Sequence, residues 1–188
     1  MRRVRLGRTG VLVPAIGFGT WGHGGTNESF RGESVGWAGH DDEAARAALV
    51  RGWELGLTHW DTADVYGDGR AERLIGSVWD RVPRDDVFLA SKVGYDPGGY
   101  DHFYHPRLIA ERLERSLANL RTDRVDLHYF HHCDFGPDDR HLEPALAAFH
   151  RLRDAGKIRW IGLSDWDAAE IARLAPLVDP DVVQPLRN

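Results

Sequence analysis

Four residues of the sequence have the side chains and the spacing needed for acid–base chemistry. Asp61, Lys92 and His131 each end an apolar segment, and Tyr66 follows Asp61 by five positions. A phenol with its ordinary pKa of about 10 is a weak acid at neutral pH unless a cation stabilises the phenolate. Lys92 would supply the cation, Asp61 would hold the lysine in place, and His131 would hydrogen-bond the reacting oxygen. Together the four residues predict a general-acid site that protonates a developing alkoxide.

Each of these residues also has a purely structural interpretation when it is taken alone. Asp61 fits a turn in an Asp- and Gly-rich loop, Lys92 a solvated strand end, His131 a core histidine and Tyr66 ordinary aromatic packing. In parallel α/β folds, however, the carboxyl ends of the strands open on one face, where sites are built. The joint occurrence at several strand ends therefore favours a functional site. Only two of the 24 basic residues are lysines, so an ammonium at position 92 stands out in an arginine-rich chain.

The elements that would position these residues alternate between strands and helices. A short β-hairpin with glycines at its turn is predicted over residues 4–13. A long Gly-rich loop, typical of functional or mobile segments, is predicted over 21–40. The pattern places strands at 15–19, 57–61, 87–92, 125–131, 158–163 and 181–184, and helices at 41–55, 70–82, 106–120, 144–155 and 167–176. This order implies parallel βαβ units, in either an open doubly wound sheet or a (β/α) barrel. The glycines at 17, 19 and 22 match a dinucleotide fingerprint, but no helix follows them, so we do not interpret them as one.

Composition narrows the function class. The 188 residues are 42% hydrophobic and 28% charged, which is typical of one globular domain, residues 1–188. The net charge of −5 argues against binding to nucleic acid or to an anionic membrane, because both require an excess of positively charged residues. The single cysteine, Cys133, rules out an intrachain disulfide and indicates a reducing compartment. The sequence shows neither a signal peptide nor an apolar run of membrane-spanning length, so we expect a cytoplasmic protein. His128, His131, His132 and Cys133 lack a second group at zinc spacing, and no metal is expected.

Several motifs together resemble the aldo-keto reductases. They are Asp61-Thr62-Ala63 with Tyr66-Gly67, Ser91-Lys92-Val93, Val125-Asp126-Leu127 leading to His131, and Gly156-Lys157-Ile158-Arg159 through Ile161-Gly162-Leu163-Ser164. The resemblance covers essentially the whole chain. It implies a (β/α)8 TIM-type barrel with an N-terminal β-hairpin that closes its bottom. It also implies reduction of small aldehydes and ketones, with NADPH, or alternatively NADH, as the hydride source.

The same resemblance implies roles for particular residues. Tyr66 would be the general acid, supported by Asp61, Lys92 and His131. Ser164 and Gln184 would contact the carboxamide of the nicotinamide, and Thr20 and Trp21 would border cofactor and substrate. The complete set of expected cofactor-binding residues is Thr20, Trp21, Asp61, Ser164, Asp165 and Gln184. At position 165 the family usually has asparagine, so a carboxylate here replaces an amide that can both donate and accept.

The sequence also departs from the family in having six predicted strands, so we expect a barrel truncated after about the sixth. The family's seventh strand and the loop that grips the adenosine phosphate have no counterpart. Six strands would leave two bare hydrogen-bonding edges, which predicts poor solubility, loose packing or self-association of the isolated chain. Two functions stay open: an NAD(P)H-dependent carbonyl reductase, and a non-catalytic relative, meaning a scaffold or cofactor-sensing subunit or an inactive remnant.

Overall fold

A parallel sheet of six strands forms the centre of the computed structural model, which describes residues 1–29 and 31–186. The strands are β1 Arg3–Arg5, β2 Leu12–Pro14, β3 Phe18–Gly19, β4 Thr26–Glu28, β5 Ser34–Gly36, β6 His59–Asp61, β7 Phe88–Val93, β8 Val125–Phe130, β9 Ile158–Asp165 and β10 Val182–Pro185. The α-helices are α1 Asp42–Glu54, α2 Arg70–Gly76, α3 Pro106–Leu120, α4 Leu142–Asp154 and α5 Ala168–Val178. Short 3-10 turns cover Trp21–Gly24, Arg84–Asp86 and Pro137–Asp139.

The order of the parallel strands decides between the two architectures left open by the sequence. The strands run β3-β6-β7-β8-β9-β10, so each lies beside its successor in the sheet, and each of the five connections contains an α-helix. A doubly wound sheet reverses its strand order at a switch point, whereas a (β/α) barrel keeps sequential neighbours throughout. The observed order is that of the barrel.

The N-terminal hairpin of β1 and β2 lies against the start of β10. The backbone amide of Arg8 donates to the carbonyl of Asp181 at 2.8 Å. Gly7, at φ +49°, touches the same carbonyl so closely that a β-carbon there would overlap it. The hairpin predicted at residues 4–13 is therefore present, and it covers the amino-terminal end of the sheet, opposite the strand ends that carry the ionisable residues.

Two predictions in the first forty residues are wrong in detail. The strand expected at 15–19 is reduced to Phe18–Gly19, and residues 15–17 are exposed rather than buried. The segment expected to be one long loop contains a second hairpin, β4–β5, in which Thr26 pairs with Gly36. Its turn is fixed by local backbone and hydroxyl hydrogen bonds at Ser29 rather than by an alternation of apolar residues.

Three helix boundaries also differ from the sequence prediction. The helix expected to reach residue 82 ends at Gly76, where the Ser77 hydroxyl donates to the carbonyl of Leu74 and competes with the helical hydrogen bonds. The helix expected to open at Pro144 begins at Leu142, because a proline is tolerated anywhere in the first turn, where backbone amides have no helical partner. The last helix continues past Pro176 and ends before Asp179, which is left-handed at φ +49°.

The core lies between the sheet and its helices. Side chains from every helix bury against the outer face of the sheet. The largest fully buried side chains of this core include Trp60 on β6, Phe130 on β8, Phe135 after β8 and Phe149 on α4. Asp41 and Asp167 cap α1 and α5 by accepting backbone amides. Within the described residues, none of the helices has both the length and the hydropathy of a bilayer-crossing segment.

Candidate active site

The parallel register brings the four predicted residues to one end of the sheet. Asp61 is the last residue of β6, and Lys92 is the penultimate residue of β7. His131 directly follows β8, and its backbone amide still bonds the carbonyl of Val93 on β7 at 3.0 Å. The three ionisable strand-end residues therefore lie on neighbouring strands at the carboxyl end, as the sequence predicted.

Lys92 is the centre of the site. Its side chain is only 3% exposed, and its ammonium donates to the Asp61 carboxylate at 2.5 Å, to the carbonyl of Thr62 at 2.9 Å and to the Tyr66 hydroxyl at 3.3 Å. A buried ammonium needs such a set of acceptors, because an unpaired charge away from water is strongly disfavoured. Tyr66 and Lys92 thus share one cavity and one hydrogen bond, which was the condition the predicted chemistry required.

The loop that carries Tyr66 is tied to β7 through its backbone. The amide of Thr62 donates to the carbonyl of Ala90 at 2.9 Å, and the amide of Asp64 donates to the carbonyl of Lys92 at 3.1 Å. On its other side the loop touches the 3-10 turn that begins at Trp21. Gly24 and Gly67 meet there backbone to backbone, and a β-carbon at either glycine would overlap the other residue. The phenol is therefore held from two directions.

Burial and charge act in opposite directions on Tyr66. Burial raises the pKa of the phenol, and the Lys92 ammonium lowers it; the effect of burial is larger, so the pKa of Tyr66 lies above its ordinary value. Lys92 favours the phenolate in the predicted direction, but the net acidification of Tyr66 expected from the sequence is not found. A phenol with a raised pKa is fully protonated at neutral pH, and this is the state in which it can give a proton away.

The partners of Tyr66 have defined charge states. Burial lowers the pKa of Lys92, but Asp61 and Tyr66 together raise it above the ordinary value, so the ammonium stays charged. Burial, followed by the charge of Lys92, holds the pKa of His131 well below its ordinary value. His131 is consequently neutral, and its buried Nδ1 has no hydrogen-bond partner among the described residues. A neutral imidazole of this kind can hydrogen-bond a ligand without adding charge.

These side chains line a cavity of about 1000 Å³. The cavity is bounded by the carboxyl ends of β6, β7, β9 and β10 and by the β4–β5 hairpin. Of the residues proposed from the sequence, the cavity wall includes Trp21, Asp61, Tyr66, Lys92, His131, Ser164, Asp165 and Gln184. Thr20 is placed differently: it is fully buried, and its hydroxyl donates to the backbone carbonyl of Asp61 at 2.9 Å. Thr20 therefore supports the backbone of Asp61 and does not line the cavity.

The residues expected to hold a nicotinamide lie together at the ends of β9 and β10. The Ser164 hydroxyl donates to the carbonyl of Gln184 at 3.1 Å, and the Gln184 amide donates to the Asp61 carboxylate at 3.3 Å. The oxygen of the Gln184 side chain is buried without a partner among the described residues. Both oxygens of Asp165 accept backbone amides, from Cys133 at 2.6 Å and from Asp167 at 2.8 Å. Asp165 therefore holds two loops in place. A carboxylate can replace asparagine in this role, because the role requires only hydrogen-bond acceptors.

Sequence reasoning missed a second buried acidic cluster behind the site. Asp64 and Glu72 are 1% and 0% exposed. Glu72 accepts from the Ser91 hydroxyl at 2.9 Å and from the Asn119 amide at 3.2 Å. Burial, followed by repulsion from Glu72, raises the pKa of Asp64 to about 7. The available signal was the neighbouring position of Ser91 and Lys92, since adjacent strand residues point to opposite faces and Ser91 must therefore be buried against a helix.

Comparisons with known proteins agree with this architecture. A family model described as the aldo/keto reductase family matches residues 15–188. The chain is 35% identical over 177 residues to the aldo-keto reductase yakc of Schizosaccharomyces pombe, whose name specifies NADP(+), covering 92% of this chain and 48% of that protein. It also resembles the solved structure of an aldo-keto reductase from Klebsiella pneumoniae in complex with NADPH, at 33% identity and a TM-score of 0.70 over 93% of this chain and 53% of that one.

A further solved structure extends the match to the whole chain. The thermostable aldo-keto reductase Tm1743, in complex with the inhibitor epalrestat, is 32% identical with a TM-score of 0.79, covering 100% of this chain and 63% of that one. The expected barrel class is thereby confirmed. The chain spans about half the length of the curated relatives it matches.

Proposed function

The chain belongs to the aldo/keto reductase family, and from this premise we propose that its cavity reduces carbonyl compounds to alcohols with a nicotinamide cofactor, Tyr66 being the proton donor. The observation that carries the proposal is the hydrogen bond of 3.3 Å between the Lys92 ammonium and the Tyr66 hydroxyl, in a cavity that also contains His131. One charged donor and two neutral hydrogen-bonding groups converge there on a space open to a ligand.

The site residues act in sequence on the carbonyl oxygen. Tyr66 and neutral His131 both hydrogen-bond that oxygen and orient the carbonyl. As negative charge develops on the oxygen, the Tyr66 hydroxyl gives up its proton, and the phenolate that remains is stabilised by the Lys92 ammonium. Asp61 keeps Lys92 charged and in place throughout. A buried, preorganised cation of this kind stabilises developing charge far better than water does, because it does not reorient during the reaction.

The cofactor is proposed on the fit of the residues at the ends of β9 and β10. The carboxamide of a nicotinamide has an NH2 donor and a carbonyl acceptor. The side-chain oxygen of Gln184, which has no partner among the described residues, can accept a hydrogen bond from the NH2 group. The Ser164 hydroxyl, which donates to the carbonyl of Gln184, can instead donate to the carboxamide carbonyl. Asp165 offers only acceptors, and both are engaged, so it supports the loops rather than the amide. The reduced nicotinamide, when bound, supplies the hydride.

The decisive experiment follows the loss of absorbance of NADPH in the presence of a panel of aldehydes. The Tyr66→Phe variant keeps the ring and removes the proton, so turnover should fall by about 10²–10⁴-fold. Tyr100→Phe is the matched control, because the Tyr100 hydroxyl bonds Glu111 on the surface, outside the cavity. Equal turnover by the wild type and Tyr66→Phe would remove the acid assignment. Binding of NADPH without any turnover would instead favour the non-catalytic alternative.

A further inference from the structure

Five aromatic side chains that line the cavity, Tyr66 among them, contact one another in a closed series, which we call the aromatic box. Trp21 stacks on Tyr66 with ring centroids 6.0 Å apart and meets the edge of Trp166 at 6.3 Å. The indole of Trp166 donates to the Tyr95 hydroxyl at 3.3 Å. Tyr95 packs against His131 at 4.6 Å, and His131 returns to Tyr66 at 5.8 Å. All five rings line the cavity.

Two of these rings are exposed in a way that simple packing does not require. Trp166 is 60% exposed and Trp21 is 38% exposed. Indole faces of this size at the mouth of a cavity offer apolar area and a negative ring face to whatever enters. Such faces attract cations within about 6 Å, and aromatic boxes are the usual recognition device for alkylated ammonium groups.

The charge on the cavity wall has the matching sign. The described lining residues include seven carboxylates but three cations, which are Arg31, Lys92 and Arg115. The histidines add no charge at neutral pH, since burial lowers the pKa of both His131 and His132. Arg112 pairs with Asp96 from behind the wall, and carboxylates still outnumber cations when it is counted. The rim carboxylates are Glu28, Glu33, Asp68, Asp96 and Asp134.

Two of the three cations on the cavity wall are paired with carboxylates. The Lys92 charge is balanced by Asp61 at 2.5 Å, and Arg115 pairs with Asp68 at 3.0 Å. An anionic ligand would therefore meet an excess of like charge at the rim, and a cationic one would meet opposite charge together with the aromatic faces. Clefts lined by one sign of charge concentrate ligands of the opposite sign.

We propose that the aromatic box selects carbonyl compounds that carry a positively charged, alkylated ammonium group, and that the acidic rim disfavours carbonyl compounds that carry a carboxylate. The inference rests on the proposed function for the carbonyl end of the ligand and names the class of substrate that this site takes. The aldehyde carbonyl lies at Tyr66 and His131, and the ammonium group lies against Trp166 and Trp21, facing the acidic rim.

Three para-substituted benzaldehydes test the charge preference, and the first two of them have the same shape. They are para-trimethylammonio-benzaldehyde, its neutral isostere para-tert-butylbenzaldehyde, and para-carboxybenzaldehyde. Isothermal titration calorimetry on the 188-residue chain, without cofactor, measures their dissociation constants independently of turnover. The cationic probe should bind roughly 3- to 30-fold more tightly than the neutral isostere. The carboxylate should bind more weakly than either, and the differences should shrink with added salt.

Variants of the box and of the rim test which residues cause the preference for the cationic probe. Trp166→Leu removes one wall of the box and should bring the affinity for the cationic probe close to that for the isostere. Trp53→Leu, on α1 and outside the cavity, is its control. The double variant Glu28→Gln with Glu33→Gln should reduce the salt dependence of the cationic probe, whereas Glu54→Gln, a carboxylate paired with Arg51 on α1, should leave it unchanged.

Equal affinities for the three probes, tightest binding of the carboxylate, or absence of binding by all three would overturn the proposal. A cationic preference that persists unchanged in Trp166→Leu would overturn it as well, because the box would then not be its origin. Benzyltrimethylammonium, which has no carbonyl, separates this inference from the proposed function. If it binds and the aldehydes are not reduced, the box stands as a cation site and the reductase activity fails.

Discussion

The two faces of β7 carry buried charge in opposite ways. On the inner face, Lys92 pairs with Asp61, and three oxygen atoms surround one ammonium. On the outer face, the Ser91 hydroxyl donates to Glu72, and one carboxylate oxygen of the nearby Asp64 is buried without a partner among the described residues. The inner carboxylate is balanced by a cation, whereas the outer pair of carboxylates is not balanced in this way. The same strand thus contacts a buried carboxylate that is paired with a cation on one face and a pair of buried carboxyl groups on the other.

The difference shows what each arrangement is able to do. A buried ion pair keeps both groups charged across a wide range of pH, which is what a reaction at neutral pH requires. Two buried carboxyl groups repel each other, and burial followed by this repulsion raises the pKa of Asp64 to about 7, although the charges of Arg112 and Arg115 lower it in part. The inner cluster is therefore suited to hold a constant electrostatic field at Tyr66. The outer cluster titrates, and it makes the stability of this region depend on pH.

The largest effect is expected when the inner pair loses its cation. Lys92→Met leaves Asp61 without its ammonium in a site where its side chain is only 18% exposed. Breaking a buried pair in this way should lower the free energy of unfolding by about 3–5 kcal/mol. Urea unfolding followed by circular dichroism measures the change. Lys157→Met is the control, because the partly exposed pair of Lys157 with Glu114 should be worth about 0–1 kcal/mol. Equal losses in the two variants would contradict the comparison.

The outer pair should show its effect as a pH dependence. The pKa of Asp64 is raised from an ordinary 3.8 to about 7, so the folded protein binds a proton more tightly than the unfolded chain does. Its contribution to stability is therefore lost as pH rises from about 4 to about 7. Asp64→Asn removes this loss, and its stability relative to wild type should rise by up to about 4 kcal/mol over that range. A difference that stays constant with pH would show that Asp64 does not titrate there.

A smaller effect is expected from the Ser91 hydroxyl, which donates to the outer cluster. Ser91→Ala deletes the donor to Glu72 and leaves one oxygen of a fully buried carboxyl without that bond. The expected cost is about 1–3 kcal/mol in the free energy of unfolding, by the same urea measurement. Ser77→Ala, whose hydroxyl bonds a helix carbonyl at partial exposure, serves as the control and should cost less. A larger loss in the control would show that the Glu72 contact is unimportant.

The smallest effect is expected for Asp68, an exposed carboxylate in the loop that carries Tyr66. Asp68 pairs with Arg115, but its side chain is 76% exposed. Asp68→Asn should change the free energy of unfolding by about 0–1 kcal/mol, because solvent screens the pair and asparagine tolerates the left-handed backbone at φ +48°. A loss approaching that of Lys92→Met would show that burial does not govern the difference between the clusters.

The convergence of the inner cluster was predictable from the sequence. Asp61, Lys92 and His131 each end a hydrophobic run, and parallel strands necessarily bring such ends to one edge. The direction of the Tyr66 pKa was not predictable in this way, because it depends on how far burial outweighs the neighbouring ammonium. Burial is a property of the assembled cavity and has no local sequence signal.

The parts that the sequence did not predict lie in turns and loops. The strands of the β4–β5 hairpin, Thr26–Glu28 and Ser34–Gly36, have no apolar alternation, so nothing in their pattern indicates a strand. Trp166 and Tyr95 belong to different loops and meet only after the sheet has aligned β7 and β9. Asp64 stands among residues typical of a solvated turn, and its burial depends on helix packing from a distance in the sequence.

The contact between Gly24 and Gly67 has a consequence for how this pocket can diversify. With no room for a side chain between them, the turn that starts at Trp21 and the loop that carries Tyr66 must shift as one body. The acidic residues of the adjoining hairpin, Glu28 at the end of β4 and Glu33 just before β5, are by contrast exposed. Mutational drift can therefore retune the charge that an incoming molecule meets while the proton donor keeps its place, so selectivity and chemistry are free to evolve at different rates.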